Sequence, residues 1–330
     1  MKQHLIHAAL ATIVLAICCP LAIANPMEKQ SMQTTQEPVF KNAQDYIELF
    51  RRGEEYYDNR LPGLMIGTQP DPAAMKVLGE ALATDTRDVR RKIINLLARI
   101  DLLSHPGATG LRTPEVIDLM VGPGFAKSDS AKSDAMEWLR KGATPATLSR
   151  YGDIFLKALK EEPSGTTLML IAKAKPKGAW EEVDRLSRLP EWKDTRSMRI
   201  ARAALGDTKI EDEYIADAKQ KEDASDMYGL ASALGPLVWI GTPRSLQAVC
   251  LRMRSPFIMD MPGVEQRSFR LSVMDALVYA FPEEADLLNS NSVMKDEDYI
   301  RVEQFCMKAT GVRYDGIPRP PFFTTLGYPR

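Results

Sequence analysis

Histidine is nearly missing from this chain. Three occur in 330 residues, and two of them, His4 and His7, fall within the first ten. That leaves His105, in the loop Ser104-His105-Pro106-Gly107, with no second ligand or orienting partner nearby in sequence. No His-Cys cluster exists, which excludes a zinc site of ordinary type, and no run of alternating aspartates around a glycine suggests a calcium loop. No cofactor is expected. Charge of one sign is lacking too: 43 basic and 44 acidic residues cancel to −1. That balance excludes a protein that coats polyanions. With no basic stripe carrying interleaved aromatics, it also argues against nucleic acid as a partner. The 45% hydrophobic content, in turn, is too high for a disordered chain.

Motifs of catalysis are equally sparse. Ser292-Val293-Met294-Lys295 matches S-x-x-K without its companion motifs. Gly122-Pro123-Gly124-Phe125-Ala126-Lys127-Ser128 has Ala126 where a phosphate loop needs glycine, and no strand precedes it. Glu181-Glu182, Glu211-Asp212-Glu213 and Asp296-Glu297-Asp298 lie at apparent helix starts, where acids oppose the positive end of the helix dipole. Trp138, Trp180, Trp192 and Tyr279 are candidates for a sugar cleft, although at helical spacing such residues more often pack. No catalytic residue is assigned.

The N-terminus reads as an export signal. Lys2 precedes an uncharged apolar run at residues 8–19, then Pro20 and Ala22-Ile23-Ala24, an A-x-A cleavage site. The run is too short for a comfortable membrane span. Removal of residues 1–24 leaves 306 residues of net charge −2 and no membrane span. Two other readings of the segment stay open: lipid attachment through Cys18 or Cys19, and an uncleaved anchor. Export to the periplasm or medium implies an oxidising compartment. Residues 25–38 are polar and Gln-rich, a tether between signal and body.

From Phe40 onward apolar residues recur at three and four. Val89, Ile93, Leu96, Leu97, Ile100 and Leu103 form one stripe over 86–103. The same period predicts helices over 243–254 and 264–281, with further helices over 40–58 and 296–310 at the ends. Breaks are expected at Pro106-Gly107, Gly122-Pro123-Gly124, Gly235-Pro236 and Pro262-Gly263. No stretch of comparable length alternates with period two, so the fold class is all-α.

The helices repeat. Runs starting at Asp85, Asp194, Asp223 and Glu265 each place an apolar residue four later: Val89, Met198, Met227, Phe269. Arg90, Arg199 or Arg270 follows, with Tyr228 the exception, and then Leu96, Leu205, Leu234 or Leu277. An acid at this place can cap the incoming helix, and the arginine can reach an acid of the neighbouring unit. The pattern resembles HEAT and HEAT-like repeats, with Gly241-Thr242-Pro243 similar to the turn that opens a first helix. The resemblance implies an α-solenoid of about six irregular helix pairs with capping helices, over residues 39–310. Second helices would start at about 88, 130, 166, 196, 224 and 265. It also implies a protein-binding concave face lined by second helices. Arg91, Asn95, Arg202, Asp275 and Tyr279 are its candidate partner-binding residues.

Residues 311–330 carry four prolines and four aromatics and read as a strap. Either Phe322, Phe323 and Tyr328 cover the last helix pair, or Arg319-Pro320-Pro321-Phe322 is a polyproline ligand. Cys250 and Cys306 both fall on apolar faces, and helix stacking would bring them near each other. A disulfide and a pair of buried thiols are the two states open to them.

Two functions fit. One is an exported, non-catalytic scaffold that binds another protein, such as an envelope assembly factor or an immunity-type binder. The other is a carbohydrate-acting hydrolase or lyase on an α/α toroid, working with paired carboxylates.

Overall fold

The computed structural model describes residues 40–57, 60–105, 110–261 and 264–322. The signal, the tether, Cys18, Cys19, Phe323, Tyr328, Pro106-Gly107 and Pro262-Gly263 lie outside the described residues. What is described is mostly helical.

The body opens with α1 (Ala43–Arg51), the hairpin β1 (Met65–Ile66) and β2 (Gln69–Pro70), α2 (Pro72–Thr84), α3 (Arg87–Ser104) and α4 (Pro114–Val121). Next come α5 (Ser130–Gly142), α6 (Pro145–Ser149), α7 (Gly152–Glu161), α8 (Gly165–Ala174), α9 (Ala179–Ser187) and α10 (Arg196–Ala204). Then follow α11 (Thr208–Asp223), α12 (Met227–Ile240), α13 (Pro243–Cys250), the hairpin β3 (Ile258–Met261) and β4 (Val264–Ser268), α14 (Phe269–Ala280) and α15 (Asp296–Thr310).

Local chemistry sets these boundaries. Asn42 and Asp45 form a reciprocal capping box on α1. Asp71, Asp129, Ser164, Thr195, Asp207, Asp226 and Thr242 each accept a backbone N–H at a helix start. Pro72, Pro114, Pro145 and Pro243 occupy first turns, where no amide donor is missed. Gly241 ends α12 at φ 60°, a left-handed cap that favours glycine.

Helices pair in chain order: α2 with α3, α4 with α5, α7 with α8, α9 with α10, α11 with α12 and α13 with α14. The second members also pack on one another in succession, α3 on α5, α5 on α8, α8 on α10, α10 on α12 and α12 on α14. Helix α1 covers the α2–α3 end, and α15 packs on α13. The core falls into two apolar clusters, one over 43–204 with Ile240, the other over 218–314. Tyr214 and Trp239 pack against both.

Several expectations need correction. The acids of the repeat do not cap their helices. Asp85 and Asp194 lie one residue early, and Thr86 and Thr195 hold the N-cap places. Asp85 is drawn instead to Arg51, at 2.5 Å. Asp223 is the last residue of α11, and Asp226 caps α12. Residues 264–268 are strand rather than helix, so α14 begins at Phe269; Ile258 and Ser268 pair across the hairpin. Residues 251–254 form a 3₁₀ turn that ends α13 early. Gly235-Pro236 breaks nothing: Pro236 is buried inside α12, whose apolar packing offsets the missing amide bond.

The three repeat arginines also diverge. Arg90 is fully buried and bonds Asp129, and Arg199 meets Glu213 of α11 at 2.9 Å. Arg270 goes to no such acid. Its guanidinium stacks 3.7 Å from the Tyr299 ring centroid and donates to the Pro321 carbonyl at 2.7 Å. The described part of the strap folds back on the last helices. Tyr314 donates to the Cys250 carbonyl at 2.8 Å, Arg319 pairs with buried Glu303 at 2.8 Å, and Phe322 meets Tyr299 edge-on at 6.1 Å.

Candidate functional site

Helices α5, α8, α12 and α14 bring cations and aromatics to two adjoining clefts. The larger, about 560 Å³, has Trp138 and Lys141 on one wall and Asp275 and Tyr279 on the other. Asn289, Ser290 and Asn291, from the α14–α15 connection, close its edge. That connection reaches residues far away in sequence. Arg112 donates to the Glu283 carbonyl at 2.9 Å, and a Cβ on Gly110 would stand 2.5 Å from the Gly142 carbonyl oxygen and 2.9 Å from Pro282. Glycine at 110 is therefore needed for this segment to sit against both Gly142 and Pro282.

The second cleft, about 400 Å³, shares Tyr279 as a wall and is otherwise mostly apolar, with Val238, Leu246 and Phe281. Trp239 lies 5.7 Å from Tyr279, ring to ring. The Arg140 guanidinium stands 4.9 Å from the Trp239 centroid and the Lys173 ammonium 5.5 Å from it. Both contacts are attractive because the ring face is electron-rich. Lys173 donates to the Arg140 carbonyl at 3.1 Å. Burial pushes its pKa down to about 7, against the pull of the Glu283 carboxylate.

The acids at or near these walls are already engaged. Asp275 pairs with Arg267 at 2.5 Å. Glu137 takes two bonds from Arg140, at 2.9 and 2.6 Å, and one ion pair from Lys141, at 2.9 Å. The Arg140 bonds hold Glu137 down at about 2, overcoming partial burial. A proton donor for glycoside cleavage needs the opposite shift.

Of the candidate residues, Asp275 and Tyr279 share the larger cleft. Asn95 stands behind it, accepting from the Trp138 indole at 3.0 Å. Arg91 pairs with Asp134 of α5 at 3.0 Å, and Arg202 turns away to Asp207 at the start of α11, at 2.7 Å. Arg91 and Arg202 are not brought to the clefts. Trp239 and Arg140 carry no mark in the sequence, whereas Lys173 ends the apolar run Leu168-Met169-Leu170-Ile171-Ala172.

Other motifs settle into structural roles. The Gly122–Ser128 segment turns the carbonyls of Pro123 and Gly124 toward Arg90, the reverse of an anion cradle. Ser292 donates to the Asn289 carbonyl at 2.8 Å. His105 ends α3, its ring nitrogen 3.3 Å from the Asp101 carbonyl. Cys250 and Cys306 are both buried and carry free thiols. A hydrogen bond with Cys250, reinforced by burial, pushes the Cys306 thiol far up. Among the described residues, no His, Cys, Asp and Glu group could hold a metal, and no helix is long and apolar enough to cross a membrane.

No protein-family model, curated protein or solved structure matches the chain.

Proposed function

We propose that this chain is an exported, non-catalytic scaffold, a HEAT-like α-solenoid that binds another protein on the face lined by its second helices. One observation carries the reading: four such helices, not adjacent in sequence, converge Trp138, Lys141, Lys173, Trp239 and Tyr279 on adjoining clefts, with Arg140 over the Trp239 ring. Aromatic and arginine side chains on a concave surface are what binding hot spots are made of. The succession of packed second helices supports the solenoid, and the A-x-A signal supports export.

The carbohydrate-enzyme reading draws less support. It asks for one acidic group kept protonated beside a free carboxylate, whereas Glu137 and Asp275 are each held by basic partners.

Capture from envelope extract tests the proposal. The full mature chain is expected to retain a discrete partner that Tyr279→Ala loses. Equal recovery by both proteins would overturn it.

A further inference from the structure

Two lysines line the apolar cleft, Lys175, which is exposed, and Lys173, which is buried at 7% exposure. The Lys173 ammonium has three donors and one protein acceptor, the Arg140 carbonyl. No carboxylate of the described residues stands at ion-pair distance. The charged groups that face it are Glu283, from the connection after α14, and Arg140 of α5. Arg140 adds like charge, and its own carboxylate, Glu137, is fully taken up by Arg140 and Lys141. A buried ammonium beside an indole face, with two donors to spare, is a site for an anion brought in by a ligand. Trp239, 5.5 Å from the ammonium at its ring centroid, and Val238, Leu246 and Phe281 of the same cleft offer apolar surface.

We propose that this cleft binds the C-terminal end of a partner protein, with the free carboxylate on Lys173 and an apolar last side chain against Leu246, Trp239 and Phe281. The proposal rests on the scaffold reading and names the chemistry of the partner. A chain terminus fits because one ligand then supplies a single anion and an apolar group on adjacent atoms. About 400 Å³ holds two or three residues rather than a folded surface.

Calorimetric titration of the full mature chain tests this with three probes: N-acetyl-Leu-Leu-Phe with a free carboxylate, the same tripeptide as its amide, and decanoate. The acid is expected to bind about tenfold more tightly than the amide, as for a charge pair formed out of water. In Lys173→Met, which keeps an unbranched side chain one atom shorter, the two peptides are expected to bind alike, with amide affinity and circular dichroism unchanged. Equal binding of acid and amide to the wild type would overturn the proposal. So would a preference that survives Lys173→Met, or no binding of either peptide at millimolar concentration. Decanoate bound in preference to the peptide acid would replace the protein terminus with a fatty acid. If the acid and amide bind alike while partner capture still needs Tyr279, the scaffold stands and only the carboxylate falls.

Discussion

Arg90 of α3 closes on Asp129, the residue that caps α5, so one carboxylate serves a buried guanidinium and two backbone amides together. Arg90 also donates to the carbonyls of Leu82 and Gly124, at 2.6 and 3.1 Å. Two helix pairs are thereby joined through a fully buried charge. Asp129→Ala removes the cap and strands that charge, and is expected to cost about 3–5 kcal/mol in urea denaturation. Asp129→Asn keeps a capping oxygen and should fall between this variant and the wild type. A loss under about 1 kcal/mol for Asp129→Ala would show that the ion pair does not join the two helix pairs.

Leu97 and Leu277 are fully buried, one in each apolar cluster. Truncation of either to alanine leaves a cavity and is expected to cost about 2–5 kcal/mol. Chemical denaturation measures this. A value near zero would mean that the site collapses or is not packed as described.

Lys173 links stability to pH. Its folded pKa, about 7, lies below the ordinary 10.5, so between those values the unfolded chain binds more protons. Stability from this group is therefore fully present above pH 10.5 and lost as pH falls toward 7. Lys173→Met should gain most over the wild type at pH 7 and progressively less toward 10.5. A gap between the two proteins that does not change with pH would contradict this placement.

Cys250 and Cys306 meet where α13 packs on α15, behind the Tyr314 hydroxyl. A buried thiol of raised pKa is a poor nucleophile. Alkylation of Cys306 by iodoacetamide should therefore await unfolding, its rate following denaturant. Rapid labelling of a protein with native circular dichroism would refute the burial.

The helices were legible in the sequence where one side alone is apolar. Over 86–103 the period places α3 within one residue, and 296–310 matches α15. Helix starts expected near 88, 130, 166 and 196 fall at 87, 130, 165 and 196, whereas those expected near 224 and 265 fall at 227 and 269. The β3–β4 hairpin was hidden because Val264 to Ser268 has no strong alternation of its own and borrows its order from the partner strand. Of the site, Asp275 and Tyr279 stand out as polar and aromatic positions on a helix that the HEAT-like resemblance places on the concave face. Trp239 does not, since α12 is apolar nearly all round and its sequence marks no face. Neither Arg112 nor Gly110 hints at a contact with residues 282–283, because that contact depends on how several helix pairs accumulate along the chain.

Site-specific photocrosslinking tests the binding face most directly. Benzophenone-alanine is placed at 279 in the full chain in cells, with the same group at Tyr228, an exposed residue of α12 that lines neither cleft, as control. The expected result is one discrete protein adduct from position 279 and none from 228. No adduct at 279, or the same adducts from both positions, would contradict a partner-binding surface there.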